Sequence, residues 1–137
     1  MKNLILGIVI SILFSCNSQD RIVGKWERIG DEYQGLRVEV NQIGDKFIGK
    51  LIHVTPTAKS YGLVLQDVKW KDIIKINDSV YEFNDLAKGY NYLNYITSSY
   101  SDYYLTFVSD NVIKMRKDFK GNEPWGTEQL WYRIEDN

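Results

Sequence analysis

The sequence predicts an all-β fold, an antiparallel up-and-down β-barrel of about eight or nine strands. Three observations support it. From about Ile22 onward the apolar residues recur mostly with a period of two, and no window of a dozen residues has the period of a helix. Short runs of turn-forming residues separate the alternating segments. The chain after its first 15 residues is long enough for one domain with a single core.

The predicted strands follow one another along the chain. They span 26–29, 36–41, 47–54, 68–76, 80–83, 90–96, 103–108, 112–116 and 129–134. Tight turns are predicted at residues 44–45, 77–79 and 109–111, where Gly, Asp, Asn and Ser dominate. A longer connection, 55–62, contains Pro56. Short reversals between neighbouring strands favour the up-and-down order.

A barrel is the expected form of this sheet, because an open sheet would expose two strand edges and closure removes both. An eight-stranded barrel has room for packed side chains or for one small ligand. An open β-sandwich remains the alternative, since alternation alone does not distinguish two facing sheets from a barrel.

The first 15 residues predict a secretory signal peptide. Lys2 precedes an apolar run that is about half the roughly 20 residues needed to span a bilayer. The sequence Leu-Phe-Ser-Cys at 13–16 resembles the lipobox of bacterial lipoproteins, although Phe14 is larger than the residue usual at its position. Cys16 is the only cysteine, so it can form no internal disulfide. Acylation of Cys16, with palmitate among the acyl chains, explains why the sequence has a single cysteine.

The mature protein is therefore expected to be tethered to a membrane outside the cytoplasm through lipidated Cys16. Residues 1–15 are the predicted signal peptide, 16–21 the lipidated cysteine and a short tether, and 22–137 the barrel domain. Several acyl chains hold a protein firmly at a membrane, whereas one holds it only marginally. Asn17 stands where an aspartate would resemble an inner-membrane retention signal, which favours the outer membrane of the cell envelope.

Charge and motifs argue against several classes of function. The chain has 17 Lys plus Arg and 18 Asp plus Glu, and loss of Lys2 leaves a balance of −2, which is not a nucleic-acid-binding profile. A Gly-rich phosphate loop, a Gly-x-Ser-x-Gly motif and any zinc-ligand spacing are absent from the sequence. We therefore expect neither an enzyme nor a bound cofactor or metal.

Gly24-Lys25-Trp26 and Arg133 resemble the lipocalin pairing of a Gly-x-Trp motif with a late basic residue. The resemblance implies a calycin-type barrel in which Arg133 covers the indole of Trp26, a cation–π contact that ties the first strand to the last. The mature chain is also similar to small lipocalin-like domains of uncharacterised bacterial envelope proteins. The shared features are residues 47–51, Trp70, 81–83 and 131–133.

A small apolar or amphipathic molecule, held inside the barrel, is the leading hypothesis for function. Trp70 is expected to point inward beside Phe83 and Phe107, while Lys69 and Lys71 face water. His53, the only histidine, is in phase with Phe47 and Leu51 and is expected to face inward too; a hydrogen-bonded core or rim histidine is the alternative. The predicted ligand contacts are His53, Trp70, Phe83, Tyr92, Tyr95, Phe107 and Trp131.

The segment 90–104 carries six tyrosines interleaved with Asn and Ser. Tyrosine contributes contact area and a hydroxyl group, and this composition is typical of adaptable recognition surfaces. The alternative function is therefore a protein-interaction module, an assembly factor or an inhibitor, that acts through this segment. An exposed hairpin rich in a good strand former would have the same composition.

Overall fold

The computed structural model describes residues 18–117 and 128–135 of the chain, so the predicted signal peptide and Cys16 lie outside the described residues. Eight antiparallel strands follow one another around a closed barrel. The elements are β1 (Gly24–Ile29), β2 (Arg37–Ile43), β3 (Lys46–His53), α1 (Pro56–Ser60), β4 (Val68–Lys75), β5 (Val80–Tyr90), β6 (Ile96–Ser109), β7 (Val112–Lys117) and β8 (Gln129–Ile134). The all-β barrel is confirmed and is compatible with a lipocalin-like architecture. The sandwich alternative is wrong, because β8 pairs with β1.

The barrel closes where the first and last strands pair. Trp26 lies opposite Arg133, and the guanidinium carbon of Arg133 is 4.2 Å from the centroid of the Trp26 ring system. The guanidinium also donates to the carbonyl oxygens of Arg21 at 2.5 Å and Val23 at 2.9 Å, while the Trp26 indole N–H donates to the Ile22 carbonyl at 3.0 Å. Residues 20–23 are thereby held across one end of the barrel.

We call this end the closed end, because residues 20–23 also bind the turns that follow β4 and β6. Arg21 donates to the Asp78 carbonyl oxygen at 2.8 Å and pairs with Asp110 at 2.9 Å. In an up-and-down barrel the β2–β3 turn lies at the same end. The opposite end, where the β1–β2 loop, α1 and the β5–β6 turn lie, is called the pocket end.

The prediction of a separate strand over residues 90–96 is wrong: β5 ends at Tyr90 and β6 begins at Ile96. The barrel therefore has eight strands and not nine. The Asn91 side chain accepts the backbone N–H groups of Leu93 and Tyr95 at 2.9 Å and 3.0 Å. This local hydrogen bonding replaces ladder bonds and turns the chain between β5 and β6. The predicted connection 55–62 contains the short helix α1, which Thr55 caps by accepting the Ala58 N–H at 3.3 Å.

Aromatic and aliphatic side chains fill the barrel interior. Trp70 packs edge-on against Trp131 with ring centroids 4.9 Å apart and against Phe83 at 5.8 Å. The largest side chains with essentially no exposure are Trp26, Trp70, Trp131, Tyr81, Ile22, Leu36, Leu51, Leu105, Ile113 and Met115. None of the described helices has the length and apolar character to cross a membrane.

Candidate functional site

Four polar side chains are buried in the half of the barrel nearer the pocket end. Their exposed fractions are Arg28 7%, Lys69 4%, Asp85 4% and Gln129 3%. Side chains that can ionise are rarely buried unless they are paired, so this cluster departs from the apolar pattern of the interior.

Strand phase explains three of the four positions. Arg28 follows Trp26 by two residues on β1, and Gln129 precedes Trp131 by two residues on β8, so each faces inward with its tryptophan. Asp85 pairs directly with Trp70 across β4 and β5 and therefore shares its face.

Lys69 is inside because of a β-bulge, and the prediction that it faces water is wrong. Gly49 pairs with Trp70 while Lys50 pairs with Val68, which leaves Lys69 as the extra residue of β4. A bulge re-aims the side chain at the point where it interrupts the ladder. Lys71, two residues further on, is partly exposed, and its Nζ lies 3.9 Å from the centroid of the Tyr100 ring.

The buried groups form one connected network. Lys69 Nζ lies 2.7 Å from Asp85 Oδ1 and donates to the Leu86 carbonyl oxygen at 2.5 Å. The Gln129 side-chain amide donates to Asp85 Oδ2 at 3.4 Å, and its oxygen accepts the Trp131 indole N–H at 3.1 Å. One carboxylate thus fixes the ammonium group and the amide, and the amide fixes the indole.

Arg28 has a different set of contacts. Its Nε and Nη2 bond Asp31 Oδ2 at 2.8 Å and 2.6 Å. The guanidinium carbon lies 4.8 Å from the Tyr33 ring centroid and 5.8 Å from that of Trp131. Its Nη1 has no hydrogen-bond partner within residues 18–117 and 128–135. The planar cation is therefore held by stacking and by one carboxylate, with one edge left for a further acceptor.

A pocket of about 170 Å³ is lined by these groups together with the aliphatic side chains of Leu36 and Leu63. The charged side chains in its wall are Arg28, Lys69, Lys88 and Asp85. The carboxylates that pair with Arg28 and Lys88, those of Asp31 and Asp67, are not part of the lining. Three cations and one anion therefore line the pocket, and each cation is also paired with a carboxylate at 2.6–2.8 Å. The group that can receive a negatively charged ligand is the Nη1 edge of Arg28.

Two tyrosines add neutral hydroxyl groups to the wall of the pocket. Burial, reinforced by the Asp85 carboxylate, raises the pKa of Tyr103 above its ordinary value. Burial raises the pKa of Tyr33 as well, with Glu32 as the next cause. Both phenols therefore stay protonated at neutral pH and can donate or accept a hydrogen bond.

The structure brings together only some of the residues predicted to contact a ligand. Trp70, Phe83 and Trp131 form one aromatic group in the interior. Phe107 is not beside Trp70 as predicted; it packs on Trp26 and Tyr81, each with ring centroids 5.9 Å away.

Tyr92 and Tyr95 lie on the exposed β5–β6 turn, away from the interior aromatic group. The inward orientation predicted for His53 is wrong. The pairing of β3 with β2 shifts register between Leu51 and His53, which inserts Ile52 as an extra residue and leaves His53 exposed.

The polar residues of the pocket were missed by sequence reasoning, although a signal for three of them was present. Arg28, Asp85 and Gln129 are each two residues from an aromatic side chain that was expected to face inward. Their phase alone would have placed them in the interior. No such signal existed for Lys69, since its orientation depends on the bulge.

A second concave site lies between β3 and β4 toward the closed end. The two strands pair only at Gly49 and Lys50, and beyond that point they diverge. The cleft between them has a volume of about 460 Å³, and the apolar part of its lining is Phe47, Ile48, Val68, Ile73 and Ile74.

In the part of the chain that the structure describes, no group of three or more His, Cys, Asp or Glu side chains is arranged to hold a metal ion. No family model, curated protein or solved structure matches the chain. Its function is therefore inferred from the chemistry of the site.

Proposed function

We propose that this protein is a membrane-tethered lipoprotein of the cell envelope that binds a small amphipathic carboxylic acid at the pocket end of a lipocalin-like barrel. The role is binding and not catalysis. The observation that supports it best is the set of charged groups buried around the pocket, in a barrel whose interior is otherwise apolar.

The cost of burying these charges supports a functional role for them. Replacing a buried ion pair by apolar residues of similar volume is often neutral or stabilises a protein by about 1–4 kcal/mol. An apolar pair could therefore fill the site of Lys69 and Asp85, whose side chains are each only 5% exposed, with equal or greater stability. Departures from an otherwise consistent pattern are expected where function requires them.

The chemistry of the wall indicates the class of ligand. Arg28 Nη1 is available to a carboxylate, and a guanidinium binds that group through strong charge-assisted hydrogen bonds. Leu36 and Leu63 supply an apolar side to the same pocket. Drug-sized ligands occupy roughly 300–1,000 Å³, and so the pocket of about 170 Å³ suits a compact molecule or the head of a longer one.

Displacement of a fluorescent dye tests the proposal. The anionic dye anilinonaphthalene sulfonate should bind the folded domain saturably and should be displaced by octanoate but not by octanol, because only octanoate carries the anion. The Arg28→Met variant should lose this preference. Arg37→Met is the matched control, since Arg37 is an exposed residue that pairs with Glu27 at 2.8 Å.

Equal displacement by octanoate and octanol in the wild type would refute the carboxylate site, as would an unchanged preference in Arg28→Met. Circular dichroism of both variants shows whether each one folds. Native mass spectrometry of the purified protein looks for a co-purified acid that would identify the physiological ligand.

The tether is tested separately, by palmitate labelling and cell fractionation. The wild type should carry the label and remain with the membrane fraction, whereas Cys16→Ala should lose both properties, since the short apolar run cannot replace a lipid anchor. Membrane retention that is unchanged in the variant, with no label on the wild type, would refute the tether.

A protein-interaction role is the second candidate, and the exposure of the β5–β6 turn favours it. Tyr92 is 93% exposed and Tyr95 is 65% exposed, beside the exposed Leu93 and Ile96. Large exposed aromatic groups in one place are typical of recognition surfaces. Loss of a co-purifying protein on Tyr92→Ser and Tyr95→Ser, with dye binding unaltered, would assign the function to this turn.

A further inference from the structure

The N-terminal tether enters the barrel at a fixed place, beside the end of β4. Asp20 accepts a hydrogen bond from the Tyr81 hydroxyl at 2.5 Å, and its other oxygen lies 3.6 Å from Lys75 Nζ. Together with the bonds of Arg21 and Arg133 described above, these contacts keep residues 20–23 against the closed end. The chain therefore leaves the domain from one defined point.

Very little chain separates that point from the predicted lipid. Four residue steps join Asp20 to Cys16. At roughly 3.3–3.6 Å per residue they span at most about 14 Å. A lipid on Cys16 would hold the closed end almost at the bilayer surface. The tether is too short to let the barrel rotate so that its pocket end faces the bilayer.

The surface beside the tether is apolar. Ile43 is 58% exposed, Ile74 57% and Ile76 51%, and the last two flank Lys75 in sequence. The divergence of β3 and β4 opens a cleft of about 460 Å³ between them, whose wall combines five apolar side chains with two lysines and two aspartates. We call the side chains of Ile43, Phe47, Ile48, Ile74 and Ile76 the closed-end patch.

The charges around the patch do not oppose contact with lipid. Lys75 lies 3.4 Å from Asp78 as well as near Asp20, and Arg21 pairs with Asp110. With the Arg133 guanidinium at the same end, three cations stand against three carboxylates, and the cleft adds Lys46 and Lys71 against Asp45 and Asp72. No excess of negative charge therefore faces an anionic surface. Exposed aliphatic side chains gain free energy when they enter the boundary between head groups and acyl chains.

We propose that the closed-end patch is a lipid-facing surface that docks on the bilayer carrying the tether, so that the pocket end points away from the membrane. This inference rests on the lipidation of Cys16 in the proposed function. The position of the tether, its length and the exposed aliphatic patch beside it carry the argument independently of any ligand in the pocket.

Lysine labelling of the wild-type mature protein tests the orientation without a substitution. The lipidated chain is reconstituted in phosphatidylethanolamine–phosphatidylglycerol vesicles and treated with a membrane-impermeant amine reagent. The reference is the same protein in detergent-free solution, after its lipid has been removed enzymatically. Lys46 and Lys75 border the patch, whereas Lys59 lies on α1 at the pocket end. Labelling of Lys46 and Lys75 should fall in vesicles, while labelling of Lys59 stays unchanged.

Depth-dependent quenching gives a second readout. Acylation blocks the only native thiol, so a cysteine placed at Ile76 or at the matched distant site Tyr92 is the only group that a fluorophore can label. At about 3.3 Å per residue along β5, Tyr92 is on the order of 30 Å from Ile76. Brominated lipids should quench the label in Ile76→Cys and leave the label in Tyr92→Cys unaffected.

Each alternative outcome overturns the inference in a recognisable way. A protein that is lipidated and retained by vesicles, but whose label at Ile76 is not quenched, keeps its tether and refutes the docking. Quenching at Tyr92 alone reverses the orientation. Protection of Lys46 and Lys75 that persists without vesicles, together with a dimer in native mass spectrometry, assigns the patch to a second copy of the chain. Absence of lipid on the purified protein removes the tether itself.

Discussion

The buried pair Lys69–Asp85 permits a sharp test of how the pocket is built. Asp85→Ala removes the carboxylate that lies 2.7 Å from Lys69 Nζ and also accepts from Gln129. Breaking a buried pair by removal of one partner costs about 3–5 kcal/mol, because an uncompensated charge remains. The lost Gln129 hydrogen bond adds about 1 kcal/mol. We therefore expect the free energy of unfolding to fall by about 4–6 kcal/mol.

The double variant Lys69→Met, Asp85→Leu should behave differently. It leaves no uncompensated charge but loses the hydrogen bonds to Gln129 and to the Leu86 carbonyl, so its stability should lie well above that of Asp85→Ala and within about 2 kcal/mol of the wild type. Urea unfolding followed by tryptophan fluorescence measures both variants, and Glu27→Ala, which breaks the exposed pair with Arg37, should cost less than about 1 kcal/mol.

A cost for Asp85→Ala as small as that of Glu27→Ala would show that Lys69 is solvated, and it would refute the buried network. If the double variant is stable but no longer prefers octanoate to octanol, the charges serve binding and not folding. If it is stable and keeps the preference, Lys69 and Asp85 play no part in recognition, and Arg28 alone selects the anion.

Three further predictions concern the closed end, the interior and the effect of alkali. Trp26→Ala should lower the free energy of unfolding by about 3–5 kcal/mol. Because the Trp26 and Arg133 side chains touch, the effects of Trp26→Ala and Arg133→Ala should not add in a double-mutant cycle. Simple additivity would contradict the contact. Gly49→Ala should destabilise by about 1–3 kcal/mol, because the added Cβ would lie 3.0 Å from Trp70 Cβ and 3.0 Å from Val38 Cγ1; unchanged urea unfolding would show that the interior yields freely. Burial and the hydrogen bond to Asp20 raise the pKa of Tyr81 far above its ordinary value of 10.0. The protonated phenol therefore stabilises the folded state fully below pH 10.0. This contribution to the free energy of unfolding is lost as pH rises above 10.0, because the phenol of the unfolded chain ionises first. Tyr81→Phe should weaken this alkaline loss in pH-dependent melting, and an identical pH profile would argue against it.

The candidate site was only partly predictable from the chain. The inward position of Trp70 and Phe83 follows from alternation, because Val68 and Tyr81 lie two positions before them on the same strands; Trp131 has only the polar Gln129 and Arg133 at that spacing. The polar network follows from alternation only in part. Asp85 could be placed inside by its phase with Phe83, but its partner Lys69 is in the opposite phase to Trp70 and enters through a bulge.

The sequence by itself determined the fold class and the hairpin turns, because both depend on local patterns; the export segment stays a prediction from the same kind of pattern. Alternation sets the faces of a strand, and Gly, Asn and Asp set the tight turns within a few residues. The turn between β2 and β3 is at Gly44-Asp45, where local chemistry predicts it. The contact of Arg133 with Trp26 was suggested only through a family resemblance.

Only the tertiary structure decided which residues line the pocket. The bulges at Ile52 and Lys69 arise where two strands of unequal local length must pair, and this depends on residues far apart in sequence. Each extra residue reverses the facing of its neighbours, since the side-chain period of a strand is two. One bulge carried His53 out to solvent and the other carried Lys69 in to Asp85, so the buried ion pair was fixed by strand register, whereas local phase already placed Arg28, Asp85 and Gln129 inside.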